Sequence, residues 1–149
     1  MQSLQQRLAS ILRDVLPVEQ EADGALTVRH AGTFASLRVV SIVEDLELVS
    51  LTQILAWDLP LTKKIGDQVA KQARDSNFGA VILLEKDAAK QERAVQRNSS
   101  KGTGKTAPKT VDVMLRYNFP GAGLTDDALR TLLLLVLDTG AQMRTALTS

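Results

Sequence analysis

The run Val111-Asp112-Val113-Met114-Leu115-Arg116-Tyr117-Asn118-Phe119 sets an apolar side chain at every odd position. A period of two is the mark of a β-strand with one face turned to a core, so Val111, Val113, Leu115, Tyr117 and Phe119 are read as the inward set. Such a strand needs hydrogen-bonded neighbours and a cover over its apolar face, and the flanking sequence offers both. Ala80 to Leu84 is a second apolar strand. Further upstream lie three extended runs, Val18 to His30, Phe34 to Val43 and Leu46 to Trp57. The first is broken by the hairpin dipeptide Asp23-Gly24. The runs are separated by the turns Ala31-Gly32-Thr33 and Glu44-Asp45, so a close antiparallel meander is expected.

Three segments change to helical period. Leu4, Leu8, Ile11, Leu12 and Val15 share one face of a first helix, with Ser3 as its cap and Pro17 as its stop. Between Thr62 and Arg74, Ile65, Val69 and Ala73 form a thin apolar stripe, with Gly66, Ala70 and Ala73 small enough for close backbone approach. Asn77 and Gly79 punctuate its exit. The last helix starts at the cap Thr125, with Asp126 and Asp127 placed against the positive end of the dipole. Its stretch Leu132 to Leu137 is apolar on every side, which admits two readings: ordinary core with a few exposed leucines, or a second covering surface such as a homodimer contact. The fold expected is therefore α+β: helix, three-strand antiparallel meander, helix, two strands and a C-terminal helix, packed on one twisted antiparallel sheet.

At 149 residues, with 44% apolar and 23% charged side chains, the chain has the makings of a single domain with a real core, read as residues 1–149. Its longest apolar run is far short of a membrane span, and Met1-Gln2-Ser3-Leu4 lacks the features of a secretory signal, so the expectation is a cytoplasmic protein with no membrane partner. There is no cysteine, which excludes disulfides and thiol chemistry. One histidine, His30, cannot build a multi-histidine metal site, and no Gly-x-Ser-x-Gly pattern nominates a nucleophile. His30 is read as an exposed edge histidine. The acidic group Glu44, Asp45 and Glu47 fits a solvated turn and matches no calcium loop. No enzyme activity, metal or cofactor is expected.

One segment differs from its surroundings. From Lys86 to Lys109, seven lysines and arginines against Asp87 and Glu92 give a local charge of +5, which leaves −4 for the remainder of a chain whose total is +1. Asp87 to Arg97 is read as a short helix and Asn98 to Lys109 as a mobile loop, so the stretch is an expected flexible basic insertion. Gly104-Lys105-Thr106 imitates a phosphate-binding loop but fails it: Ser99 stands where the first glycine is needed, and Pro108 and a strand follow in place of a helix. Nucleic-acid association through Lys101, Lys105 and Lys109 is the alternative functional reading, on charge alone, since no aromatic side chain is interleaved to stack on bases.

The order helix, three-strand meander, helix, two strands, helix resembles the class I type III secretion chaperones of the CesT type and the related YbjN-like domains of bacteria, including their actinobacterial peptide-binding relatives. Ile54-Leu55-Ala56-Trp57-Asp58-Leu59-Pro60 leading into the second helix, and then Asn77-Phe78-Gly79-Ala80-Val81-Ile82-Leu83, look like the YbjN pattern. This resemblance implies a small, often dimeric, non-catalytic domain that binds extended segments of another protein. Strand addition to a sheet edge, with apolar hollows taking alternate side chains, is the recognition mode it suggests. The surface is expected among Leu37, Val39, Leu48, Leu51 and Trp57, the last of which is read either as a peptide anchor or as a plug at the end of the core.

Overall fold

The computed structural model describes residues 2–87 and 109–149. Helix α1 (Leu4–Arg13) is followed by strands β1 (Val18–Gln20), β2 (Leu26–His30), β3 (Thr33–Val43) and β4 (Leu46–Pro60). Helix α2 (Lys63–Asp75), strands β5 (Ala80–Asp87) and β6 (Lys109–Pro120) and helix α3 (Asp126–Thr148) complete the described elements. The strands form one antiparallel sheet in the order β1-β2-β3-β4-β6-β5. The α+β expectation holds. The meander, however, has four strands where three were expected, because the turn at Asp23-Gly24 divides the first run into β1 and β2. Gly24 takes a φ of +93° there, a conformation without penalty only for glycine.

Helix starts follow local chemistry. The Ser3 hydroxyl accepts from the Gln6 N–H at 3.1 Å while the Gln6 side chain accepts from the Ser3 N–H at 2.9 Å, a reciprocal capping box. Thr62 and Thr125 accept from Ile65 and Ala128 in the same way. Gly79 closes the approach to β5 with a φ of +70°, and a β-carbon at that site would lie 2.4 Å from the Arg116 carbonyl oxygen. Only glycine fits.

Two helices cover one face of the sheet. Leu4, Leu8, Ile11 and Leu12 from α1 and Leu129, Leu133, Val136, Leu137, Met143 and Leu147 from α3 are buried against Leu26, Val28, Leu37, Val49, Leu51, Leu55, Val113 and Leu115. The odd positions of β6 point into this core, as the alternation predicts. Helix α2 is attached more lightly: Val69 is its one buried residue. A β-carbon on Gly66 would meet nothing within 4 Å, and Ala70 and Ala73 are exposed, so among the described residues no close backbone approach uses these small residues. In α3 the apolar stretch leaves Leu135 48% exposed.

The core contains one polar inclusion. Gln53 on β4 is fully buried, and its amide donates to the Thr33 hydroxyl at 2.9 Å and to the Leu137 carbonyl of α3 at 3.0 Å. Thr33 in turn donates to the His30 carbonyl at 2.6 Å. The amide oxygen of Gln53 has no hydrogen-bond partner among the described residues and lies against Gly140, where an added β-carbon would sit 2.0 Å from it. Glycine in mid-helix normally costs about 1 kcal/mol relative to alanine. At this site the ordering reverses, because alanine must displace a side chain held by two hydrogen bonds. Gly140→Ala is expected to destabilise the fold by about 1–3 kcal/mol. A Gln53→Ala/Gly140→Ala double variant is expected to lose less than the sum of the single changes, which chemical denaturation of the four proteins measures.

Candidate functional site

Because side chains alternate, the sheet has a second face, and no described element covers it. On this face the register lines up Arg29 of β2, Phe34 of β3, Ile54 of β4, Met114 of β6 and Ile82 of β5 in one row across five strands. The four apolar members of the row form a continuous band. Trp57 adjoins it after a break in the β4–β6 register, its ring edge-on to Phe34 with centroids 5.7 Å apart. The Arg29 guanidinium lies 5.6 Å from the Phe34 ring centroid. Phe34 and Trp57 are 37% and 44% exposed, and Leu84 beside the band is 51% exposed.

The two flanks of the band differ in charge and size. One flank holds Thr27, Ser36, Thr52, Arg116 and Ala80, which are aligned across the strands. Arg116 is exposed and forms no ion pair among the described residues. On the other flank, Lys86 Nζ lies 2.5 Å from Asp58 and 2.9 Å from Asp112, and the Asp58 N–H donates to Asp112 at 3.0 Å. Asp58 holds a φ of +54°, a left-handed conformation that aspartate tolerates better than most residues. Partial burial works against the Asp112 charge, but the Lys86 ammonium and the Asp58 N–H outweigh it and hold this carboxyl below the usual carboxylate range. Hydrogen bonds to Asp58 and Asp112 raise Lys86 above the ordinary lysine range.

Among the described residues the sheet has two free edges. The β1 edge is three residues long and the β5 edge eight. On β5, Leu83 and Leu84 point to opposite faces and are 41% and 51% exposed.

The five residues expected to form a peptide surface fall on different sides. Leu37 and Leu51 are fully buried beneath the helices and have no surface to offer, which corrects that part of the expectation. Val39 is half-buried against the core. Leu48 lies on the open face between Val40 and Pro120, and Trp57 lies on the open face beside Phe34. The fault was one of parity: Leu48, Val49, Leu51, Ile54 and Leu55 are all apolar, so β4 alone does not disclose which set faces the helices. Phe34, Ile54, Ile82 and Met114 were missed for the same reason. The β6 alternation, carried across the register, identifies them.

Of the basic insertion, Lys86 and Asp87 belong to β5, so Asp87 is a strand residue, and the rest of the expected helix to Arg97 and of the expected loop from Asn98 up to Pro108 lies outside the described residues. Lys109 opens β6 as an exposed side chain, and its carbonyl accepts from the Leu61 N–H at 3.0 Å. Lys101 and Lys105 lie outside the described residues. His30 is not an exposed edge histidine. It sits on β2, inside the sheet, and Nε2 lies 2.7 Å from Asp138 Oδ1 of α3 with the side chain 21% exposed. Among the described residues no serine or threonine hydroxyl bonds its ring; the Thr33 hydroxyl reaches its carbonyl. Nor does any group of three or more histidine, aspartate or glutamate side chains among them have metal-site geometry. No described helix is long and apolar enough to cross a membrane.

Comparison of the chain with protein-family models, with curated proteins and with solved structures returned no match.

Two measurements check this division of the sheet. Leu51→Ala is expected to cost about 2–5 kcal/mol in unfolding free energy, whereas Trp57→Ala on the open face should cost clearly less. For the ion trio, a carboxyl held low in the folded state contributes stability that is present above its unfolded value, about pH 3.9, and lost as pH falls through the folded one. Asp112→Asn should therefore flatten the acid limb of the stability–pH curve below about pH 4, read by thermal melts at a series of pH values.

Proposed function

We propose that this protein is a non-catalytic, homodimeric protein- or peptide-binding domain of the secretion-chaperone-like and YbjN-like kind, acting in the cytoplasm. Its client is an extended segment of another polypeptide that adds to the outer edge of β5. The observation that carries this reading is that edge: eight residues at the end of the sheet order, with Leu83 and Leu84 presented to solvent on either side. An unpaired edge offers a row of N–H and C=O groups, and exposed apolar side chains on alternate faces give pockets for the incoming strand. Natural edges are commonly blunted by lysine, proline or a bulge. Here the charged residues Glu85, Lys86 and Asp87 are confined to one end of the strand, leaving Ala80 to Leu84 without such protection. The opposite edge, β1, is too short to serve equally.

An array of dodecapeptides of varied sequence, probed with the labelled protein, tests this. Bound peptides should be enriched in alternating apolar and β-branched residues. A Leu83→Lys variant, which puts a charge on the edge at a 41% exposed position pointing away from the open face, should lose at least about tenfold in affinity. Absence of any such enrichment, or binding indifferent to Leu83→Lys, would remove the edge as the site.

A further inference from the structure

We infer that the open face of the sheet is the homodimer interface, two copies packing face to face about a two-fold axis that runs across the strands along the row Phe34, Ile54, Met114, Ile82. The inference rests on the homodimer part of the reading above and assigns it a surface. A two-fold axis in that direction keeps each strand over its own counterpart and reverses its sense, so positions equally spaced on either side of the row come to face each other. On β6, Arg116 and Asp112 are two residues either side of Met114. Each Arg116 then faces the partner's Asp112, next to the partner's Asp58 and Lys86, a trio that carries one more negative charge than positive.

Size is complementary in the same sense as charge. On β5, Leu84 and Ala80 flank Ile82, so the exposed leucine faces the partner's alanine. On β4 the bulky Trp57 lies beyond Ile54 on one side and Thr52 on the other, so the indole is brought over the partner's Thr52 and Ser36. The other in-plane two-fold axis, along the strands, would set Arg116 near its own copy and the acidic trio against its own copy, which like-charge repulsion disfavours.

Packing geometry and area agree. Two twisted sheets stack with strands nearly aligned, about 30° apart, and inner faces about 10 Å apart. Five strands, β2 to β5 in the sheet order, at ~4.8 Å spacing and about ten residues long span roughly 800 Å² of face per protomer. This is the size of a standard stable interface. The apolar row forms its centre and the polar flanks its rim.

Sedimentation velocity of the full chain over a wide concentration range tests the assignment. Wild type should sediment as a dimer. Arg116→Asp, a change at an exposed position, and Met114→Glu in the centre of the row should each weaken association by at least about tenfold, with circular dichroism unchanged. Ala70→Glu on the outer side of α2 should leave it intact. A dimer insensitive to both open-face changes, or one broken by Ala70→Glu, overturns this interface while leaving the dimer itself standing. A monomer at every concentration overturns both.

Discussion

Among the described elements, α1 and α3 with the lightly attached α2 cover one face of the six-stranded sheet and leave the other open, and that shortage of cover governs the rest of the molecule. Every strand alternates its side chains, so the residues that α1 and α3 cannot reach are fixed once the inward set is fixed. Leu37 and Leu51 become core by the same parity that makes Phe34 and Ile54 surface. The apolar band on the open face is therefore no accident of a few stray residues. It is one register row running through four adjacent strands, at right angles to the chain direction.

The covered face is secured by packing and by a small polar clasp. Gln53 joins β4 to β3 through Thr33 and to α3 through the Leu137 carbonyl, and Gly140 gives it room. Immediately beyond Gln53 on β4, the irregularity after Ile54 turns Trp57 outward and brings Asp58 to Lys86 and Asp112. Arg144 of α3 donates to the Leu55 carbonyl at 2.6 Å at that same irregularity. The break in register is thus held from both faces, and it places the largest exposed aromatic beside the apolar row.

Much of the architecture was legible in the sequence. The β6 alternation, the caps Ser3 and Thr125 and the turn dipeptides are local signals, and local signals set element type and order. The strand count was one short because a five-residue loop around Asp23-Gly24 leaves only a short strand on its N-terminal side. The candidate surface was read less well. Residues on β3 and β4 are apolar on both faces, so sequence spacing cannot say which set meets a helix; that is decided by pairing with β6, a long-range relation. His30 shows the same limit, since its partner Asp138 lies 108 residues away in sequence. The alternation of β6, propagated through the register, recovers Ile54, Met114 and Ile82 as the opposite face.

On the proposed dimer, the two faces of the sheet have different fates: one is closed within the chain, the other is closed by association. Methyl NMR with a soluble paramagnetic agent reads this directly. In dilute solution the Ile54, Ile82 and Met114 methyls should be strongly relaxed while those of Leu37 and Leu51 are spared, and at high concentration the first set should become protected as well. Open-face methyls that stay equally accessible at every concentration, or core methyls as accessible as theirs, would contradict it.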